Sequence, residues 1–456
     1  MEGFLDRIEE RSVLERFFSA EKAGFGILYG RRRIGKSSLL RHVLGKEGVY
    51  FLADMSDKSL QIKNFAEAIA RVVPDFDKAS YPTWYSLFAA LENSVSTRIN
   101  IAIDEFPYMV NAAPELPSEL QKIIDLGRKS KYNLVICGSS QQMMRELFLG
   151  ITSPLYGRAD VVMNVSALKI HWLKAYLNCS ATDAVKEYAV WGGVPRYWEI
   201  RKSHKSHIEA IKMAILDKNG VLLEEPMRLF LDDMRSAVQA YSIVNLVGNG
   251  KHRLSEIANM LEKPATHFSR PLANLVEMGY LKREIPFGDT EANSKKGMYW
   301  IADPFLNFYM KLVASNKSII ALGLWDVLKT KLDTELPHLY GKVWEDLARY
   351  AVPYLKLGEI DWNKAYRYWG KTNVEVDLVA ESIDKTSILV GEVKWSNSEI
   401  DIKYVTKQLD ENAAFIASLF PSKKIVKAIF VPDRSMCINK NDTLLVDCEE
   451  VVSILK

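Results

Sequence analysis

This 456-residue chain has few cysteines, no long apolar run and a small net charge. Its four cysteines (Cys137, Cys179, Cys437 and Cys448) are scattered, with no Cys-x-x-Cys pair and no nearby histidine at ligand spacing. This pattern argues against a disulfide framework and against a cysteine–histidine zinc site. It is expected of a protein that works in the reducing cytoplasm.

No apolar run approaches the roughly 18 residues that a membrane-spanning helix needs. Residues 1–18 are charged throughout, which is not the pattern of a secretory signal peptide. Sixty basic residues against 57 acidic ones give a formal net charge of +3, so overall charge indicates neither nucleic acid nor membrane as a partner. We therefore expect a cytoplasmic protein without a membrane partner, and the length predicts about two to four domains.

The most informative motif is a phosphate-binding loop between an apolar strand and a helical pattern. Residues 30–37 read Gly-Arg-Arg-Arg-Ile-Gly-Lys-Ser, the G-x-x-x-x-G-K-[ST] pattern whose backbone N–H groups cradle phosphates. Lys36 would bridge the β- and γ-phosphates of ATP, and Ser37 would hold Mg²⁺. A chance glycine-rich turn is the alternative. The residues expected to bind the nucleotide are Gly30, Arg31, Arg32, Arg33, Ile34, Gly35, Lys36, Ser37 and Ser38.

An acidic pair follows a second apolar strand about 70 residues further on. Residues 99–105 read Ile-Asn-Ile-Ala-Ile-Asp-Glu, which is typical of a buried parallel strand that ends in catalytic carboxylates. Asp104 would position Mg²⁺, and Glu105 would orient and deprotonate the water that attacks the γ-phosphate. The alternative is a surface acid pair after a core strand.

Two further polar positions belong to the same half of the chain. Ser139 follows the strand pattern 133–137, where a hydroxyl can sense the γ-phosphate, although a simple strand-end turn fits equally well. Arg158 precedes the strand 161–165 and would act as an arginine finger, or else be an ordinary surface arginine. The alternation of strands and helices over the first 165 residues predicts a parallel sheet wrapped by helices.

These motifs together resemble the prokaryotic "archaeal ATPase" family, which is related to the signal-transduction and AAA ATPases. The resemblance rests on GRRRIGKSSLL, IAIDEF, the strand ending in GSS, SPLYGR and GGVPRY, in this order over roughly residues 1–240. It implies a sensor role for Ser139, an arginine-finger role for Arg158 and nucleotide contact near Gly193 and Pro195. It also implies that the segment Phe4–Arg7 forms a wall of the adenine pocket.

The middle of the chain predicts two smaller modules. Residues 169–233 are expected to form a small helical lid on an ATPase core of residues 1–168. Residues 234–303 show three helices and two strands around a polar loop, the order of a winged helix-turn-helix. His267, Ser269 and Arg270 would lie exposed near the start of its third helix, and Lys282, Arg283, Lys295 and Lys296 would meet DNA phosphates. A packing or switch module is the alternative.

The last segment, residues 304–456, carries a second candidate site. Asp377 lies on one predicted strand, and Glu392 and Lys394 share a face of the next strand. The pattern resembles the D…E-x-K site of restriction-endonuclease-like nucleases, in which carboxylates bind Mg²⁺ and the lysine orients or deprotonates water. Glu345 on a preceding helix would supply a further metal ligand. Edge strands with solvated charges are the alternative.

The sequence thus predicts an α/β protein: a P-loop NTPase sheet, a helical lid, a winged helix and a carboxyl-terminal nuclease-like domain. Its expected function is a Mg²⁺-dependent, ATP-hydrolysing switch that acts on nucleic acid, DNA rather than RNA, as a homo-oligomer. One alternative is an ATP-gated DNA-binding regulator whose last domain is structural or binds a partner. A second alternative is a chaperone-like switch that acts on proteins.

Overall fold

The computed structural model describes residues 6–126, 131–148, 150–234, 236–290, 294, 296–370 and 374–456. Contacts within the chain divide it into two compact units. The first comprises residues up to 167 together with 228–237, and the second comprises 168–227 and 238–456. The finer division into four domains stays a prediction.

A five-stranded parallel sheet forms the centre of the first unit. Its strands are β1 (Phe25–Tyr29), β2 (Val49–Leu52), β3 (Ile99–Asp104), β4 (Tyr132–Gly138) and β5 (Val161–Asn164). They lie in the order β2-β3-β4-β1-β5, with every pairing parallel. This sheet confirms the predicted α/β fold with a parallel sheet.

Both faces of this sheet are buried. Along β4, Leu134 and Ile136 belong to one apolar cluster, whereas Val135 and Cys137 belong to another, as the period of two in a strand requires. A strand that is covered on both faces reads as a continuous apolar run, which is why the sequence revealed it. The covering helices are α1 (Ile8–Ser19), α2 (Lys36–Leu44), α3 (Lys58–Ala70), α4 (Trp84–Ser94), α5 (Phe106–Ala112), α6 (Leu116–Leu126) and α7 (Gln141–Phe148).

Helices dominate the first part of the second unit. They are α8 (Ile170–Leu177), α9 (Ala181–Trp191), α10 (Pro195–Lys202), α11 (His207–Ala214) and α12 (Glu225–Asp233); residues 228–233 of α12 are counted with the first unit. Next come α13 (Ala237–Gly248), α14 (Leu254–Met260) and α15 (Ser269–Glu277), followed by the antiparallel pair β6 (Leu281–Glu284) and β7 (Met298–Ile301). Three helices and a two-stranded sheet thus occur in the order that the sequence predicted.

A second five-stranded sheet lies near the carboxyl end, and this one is mixed. Its strands are β8 (Tyr366–Trp369), β9 (Glu375–Glu381), β10 (Ser387–Val393), β12 (Lys424–Phe430) and β14 (Leu444–Val446), in the order β14-β12-β10-β9-β8. Strands β9 and β10 pair antiparallel and are therefore neighbours, as is required for Asp377 to approach Glu392 and Lys394. A small parallel pair is formed by β11 (Ile400–Asp401) and β13 (Cys437–Ile438).

The described residues from 304 to the end of the chain also form the helices α16 (Pro304–Phe308), α17 (Lys317–Ala321), α18 (Trp325–Ala351), α19 (Ile402–Leu419) and α20 (Cys448–Ile454). The predicted helix that carries Glu345 is part of α18, which spans 27 residues and contains Pro337. Proline within a helix removes a backbone hydrogen bond, so in a sequence it signals a helix end. Among the described residues, no helix is long and apolar enough to cross a membrane.

Candidate functional site

The phosphate-binding loop connects the carboxyl end of β1 to the amino end of α2. Three of its residues, Gly30, Arg33 and Gly35, have positive φ values of 153°, 65° and 97°. Such conformations turn successive N–H groups towards one point, which makes a concave site for an anion. The first turn of α2 adds the positive end of its dipole to this site. The loop geometry therefore suits a phosphate chain.

Lys36 and Ser37 occupy the first two positions of α2 and differ in exposure. The Lys36 side chain is buried, and its Nζ donates to the carbonyl oxygens of Gly30 at 2.8 Å and of Arg31 at 2.9 Å. Ser37 and Ser38 are exposed. The lysine is thus folded onto its own loop, where its hydrogen bonds to neutral carbonyls are available for exchange with a phosphate.

Asp104 lies at the carboxyl end of β3, at the same sheet edge as the loop. Its side chain is almost fully buried, with Oδ2 accepting from the Tyr50 hydroxyl at 2.6 Å and Oδ1 accepting from the Glu105 N–H at 3.0 Å. Burial and the bond to Asp104 raise the pKa of Tyr50, whereas a hydrogen bond with Ser37 opposes that rise. Tyr50 therefore fixes the carboxylate that the sequence assigned to Mg²⁺.

Glu105 adopts a left-handed backbone conformation with φ 53° and is half-buried. Its Oε2 accepts from the Ser139 N–H at 3.2 Å and from the Ser139 Oγ at 2.8 Å. Because β3 and β4 are parallel, their carboxyl ends meet at one edge and place these two side chains together. The predicted base and the predicted sensor are therefore direct partners.

The residues at this edge fit a triphosphate with Mg²⁺. The loop offers converging N–H groups, Ser37 offers an exposed hydroxyl, and Asp104 offers a buried carboxylate. Hard oxygen ligands of this kind suit Mg²⁺, which keeps several waters and binds phosphates through the rest of its shell. Bound there, the metal would neutralise charge on the phosphates.

Two arginines support the loop in ways that the sequence did not reveal. Arg7 is buried, and its Nη2 donates to the carbonyl oxygens of Ile34 at 2.9 Å and of Ser166 at 2.7 Å. Arg32 forms an ion pair with Asp232, which is 200 residues away in the chain. No local pattern links such distant positions, so Asp232 could not be found from the sequence.

Arg158 lies at the opposite edge of the sheet. Its Nε and Nη2 donate to the two carboxylate oxygens of Asp125 at 2.8 and 2.9 Å. The neighbouring Asp160 accepts from the N–H of Phe25, the first residue of β1. Since β1 has five residues at about 3.3 Å each, roughly 15 Å separate this edge from the phosphate loop. A role for Arg158 at the phosphate loop of its own chain does not fit this fold.

Gly193, Pro195 and the segment Phe4–Arg7 are the other positions for which the sequence implies nucleotide contact. Gly193 and Pro195 belong to the second unit, where the Gly193 carbonyl accepts from the Leu168 N–H at 2.8 Å and Pro195 is the first residue of α10. Of the segment proposed as a wall of the adenine pocket, Phe4 lies outside the described residues. Arg7, its last residue, contacts the phosphate loop through Ile34.

The second candidate site forms where β9 and β10 run side by side. Asp377 Oδ2 accepts from the Val393 N–H at 3.0 Å, which ties the β9 carboxylate to the end of β10. Lys394 Nζ donates to Glu392 Oε1 at 2.7 Å, and Glu392 Oε2 accepts from Asn412 at 3.3 Å. The fold thus brings Asp377, Glu392 and Lys394 together, and Asn412 of α19 is a partner that the sequence did not indicate.

Burial, followed by the nearby carboxylates of Glu392 and Glu345, raises the pKa of Asp377 to about 6. Carboxylates that lie close together and are partly buried repel one another. A divalent cation bound between them would relieve that repulsion. Glu345 itself pairs with Lys342 at 3.4 Å and with Arg349 at 3.7 Å. Among the described residues, no group of three or more histidine, cysteine or acidic side chains is arranged to hold a metal ion.

The residues proposed to meet DNA phosphates are only partly accessible. Lys282 is largely buried, and its Nζ pairs with Glu284 at 2.8 Å and with Asp346 at 2.7 Å, so it is not an exposed lysine of the kind expected to meet DNA phosphates. Arg283 is exposed, while Lys295 lies outside the described residues. His267, Ser269 and Arg270 are exposed near the start of α15, as expected.

Comparison with known proteins connects this geometry to a family. Residues 4–199 match the family described as "ATPase domain predominantly from Archaea", and residues 309–406 match "Archaea bacterial proteins of unknown function". An uncharacterized protein of Methanocaldococcus jannaschii is 30% identical over 421 residues, which cover 89% of this chain and 91% of that protein. The chain belongs to this archaeal ATPase family. A second protein of that organism, an uncharacterized ATP-binding protein, is 49% identical over 41 residues, 9% of this chain and 70% of that protein.

Solved structures agree with the archaeal ATPase assignment at the level of fold. A Walker-type ATPase of Pyrococcus abyssi superposes with a TM-score of 0.51 at 20% identity, covering 67% of this chain and 96% of that one. The ORC2 protein of Aeropyrum pernix, solved with ADPNP and ADP, gives a TM-score of 0.43 at 13% identity over 71% of this chain and 97% of its own. The superposition on the Pyrococcus abyssi protein shows that this chain shares the α/β fold with a P-loop ATPase type of parallel sheet.

Proposed function

We propose that this member of the archaeal ATPase family hydrolyses ATP in a Mg²⁺-dependent cycle and that this cycle controls the binding of the second unit to nucleic acid. The observation that carries the proposal is the convergence of the phosphate loop, Asp104 and the Glu105–Ser139 pair at one sheet edge. Ser37 and Asp104 would hold Mg²⁺, and Lys36 would leave its loop carbonyls for the phosphates. Ser139 would hold the Glu105 carboxylate in place, and Glu105 would take the proton from the attacking water.

The test of this site compares three variants by phosphate release with ATP and Mg²⁺. We expect Lys36→Ala to lower turnover by about 10²–10³-fold, since it removes a preorganised charge at the phosphates. Glu105→Gln should lower turnover by about 10²–10⁴-fold while ATP stays bound. Lys46→Ala, at an exposed position just after α2, is the control that should keep the wild-type rate. Wild-type turnover in Lys36→Ala would show that the site is misassigned.

For the second unit, we propose a winged helix that binds DNA next to a metal-dependent nuclease centre. The order of α13–α15, β6 and β7 supports the winged helix, whose α15 would enter the major groove. The contact of Asp377 with the end of β10, together with the Lys394–Glu392 pair, supports the nuclease centre. Asp377 and Glu392 would hold Mg²⁺, with Glu345 as a further carboxylate nearby, and Lys394 would orient or deprotonate the water.

Cleavage of a supercoiled plasmid with Mg²⁺ or Mn²⁺ tests this second centre. We expect Asp377→Asn and Lys394→Ala to abolish cleavage and to leave ATP hydrolysis unchanged. Glu375→Gln is the matched control: Glu375 lies two residues before Asp377 on β9, but its side chain is 70% exposed. If the wild-type protein binds DNA in a salt-dependent way and never cleaves it, the regulatory alternative replaces the nuclease.

A further inference from the structure

A small basic cavity lies in the second unit beside β6, α18 and β8. Its volume is about 110 Å³. Five basic side chains, Lys282, Arg283, Arg349, Lys364 and Arg367, line it against two acidic ones, Glu284 and Asp346. A surplus of cations in a partly buried space is costly unless an anion shares it.

The two acidic side chains are already shared among the buried cations. Asp346 accepts from both Lys282 and Arg349, and Glu284 pairs with the same lysine. Burial alone would raise the pKa of Asp346, yet Lys282, Lys342 and Arg349 hold that pKa far below its ordinary value. Three cations thus surround this one carboxylate.

Two other cations at the cavity, Lys364 and Arg367, are weakly compensated. Lys364 is exposed, makes no ion pair with any carboxylate in the described part of the chain, and lies over the Tyr366 ring at 5.3 Å. Arg367 reaches Glu375 only at 3.7 Å. One lysine and one arginine therefore keep charge to offer to a ligand at the mouth of this cavity.

Size and chemistry together indicate the ligand. A buried water needs roughly 10–15 Å³, so the cavity holds several waters or one tetrahedral anion. Arginine recognises phosphate through its planar fork, and lysine recognises it as a point charge. We propose that this cavity binds a phosphate group, either of a nucleic-acid backbone or of a free phosphate compound.

The position of this phosphate site gives it a consequence for the acidic centre. Arg349, in the wall of the cavity, also donates from Nη1 to the main-chain oxygen of Asp377 at 2.9 Å. A phosphate held in this cavity by Lys364 and Arg367 would therefore share a wall, Arg349, with the D…E-x-K centre. If the second unit acts as the proposed nuclease, this cavity holds a phosphate of the nucleic-acid strand next to the metal site. This part of the inference rests on the proposed nuclease function.

Thermal unfolding of the full chain tests the phosphate site directly. The measurement uses a Lys36→Ala background, so that phosphate bound at the nucleotide loop does not contribute. We expect inorganic phosphate to raise the unfolding midpoint above that in chloride of equal ionic strength. Adding Lys364→Ala should weaken the apparent phosphate affinity about tenfold, since a charged hydrogen bond is lost. Lys356→Ala, at a side chain that is 78% exposed in the same unit, should leave it unchanged.

No stabilisation by phosphate over chloride, or equal stabilisation with and without Lys364→Ala, would overturn the proposal. A short labelled DNA duplex then separates the two sources of phosphate. If the ligand is a DNA backbone, Lys364→Ala weakens duplex binding, reduces its salt dependence, and inorganic phosphate competes with the duplex. If the ligand is a free phosphate compound, duplex binding is unchanged while the thermal effect is lost. Neither thermal unfolding nor duplex binding requires cleavage. Failure of the phosphate site can therefore be distinguished from failure of the proposed nuclease function.

Discussion

The two glycines of the phosphate loop are held by different constraints, although both have positive φ. A Cβ atom on Gly30 would lie 2.5 Å from the backbone oxygen of Val165, which belongs to the chain just after β5 and cannot rotate away. A Cβ atom on Gly35 would meet nothing within 4 Å. Gly30 is therefore needed for packing as well as for conformation, and Gly35 for conformation alone.

This difference predicts unequal costs for the same substitution. We expect Gly35→Ala to lower the free energy of unfolding by about 1 kcal/mol, which is the strain of a side chain at positive φ. Gly30→Ala should cost about 2 kcal/mol or more, because the backbone must also move. Urea denaturation of the two variants checks this prediction, and equal losses would contradict the assigned contact with Val165.

At the scale of elements, the position of each predicted site residue depends on whether it lies at the amino or the carboxyl end of a parallel strand. The phosphate loop, the pair Asp104–Glu105 and Ser139 lie at the carboxyl ends of β1, β3 and β4, respectively. Because these strands are parallel, the three groups lie at the same edge of the sheet. Arg158 lies near the amino end of β1, beside Asp125, and cannot reach that edge. If it acts as an arginine finger, it does so on the nucleotide of another copy of the chain.

Mixing two inactive variants tests this action between copies. Arg158→Ala retains an intact nucleotide site, and Lys36→Ala retains an intact arginine. We expect each variant alone to show little ATP hydrolysis and the mixture to recover a fraction of wild-type turnover. Arg145→Ala, in α7, should behave as wild type and serves as the control. A mixture that stays inactive, or full activity of Arg158→Ala alone, would exclude the shared site.

At the scale of the whole molecule, a buried ionic network joins four helices of the second unit. Glu187 of α9 accepts from Arg201 of α10 through both carboxylate oxygens and pairs with His207 of α11 at 2.7 Å. His207 in turn lies 3.3 Å from the hydroxyl of Tyr340 in α18. Burial raises the pKa of Glu187, but His207 and Arg201 outweigh it and lower that pKa overall.

The sign of this pKa shift predicts how stability depends on pH. A depressed folded-state pKa contributes stability that is present above the unfolded value of 4.5 and is lost as pH falls through the folded value. Removing one partner of such a buried pair costs about 3–5 kcal/mol. We therefore expect Glu187→Gln to lower stability by that amount at pH 7, with a smaller deficit at pH 3.

Denaturant unfolding at the two pH values measures the effect. Glu199→Gln is the control, because the Glu199 carboxylate is 55% exposed in a local pair with Arg196. It should change stability by less than about 1 kcal/mol. A Glu187→Gln deficit that is independent of pH would show that packing, and not charge, stabilises this region.

The sequence by itself determined the features that are written in local pattern. A run of buried apolar residues specifies a strand covered on both faces, and a glycine-lysine-serine turn specifies a phosphate loop, so Lys36, Asp104 and Glu105 could be named in advance. The period of two likewise placed Glu392 and Lys394 on one face, and Asp377 joins them once β9 pairs with β10. In each case, the residues that carry the pattern are neighbours in the chain or in one pair of strands.

Only the tertiary structure decided which distant side chains become partners. It placed the Tyr50 hydroxyl on Asp104, paired Arg32 with Asp232, buried Lys282 against Asp346 and left Arg158 at the far edge of the sheet. The physical reason is that local periodicity specifies the face of an element but not the element that will cover it. That choice depends on how whole helices and sheets pack to bury apolar surface and to pair their charges.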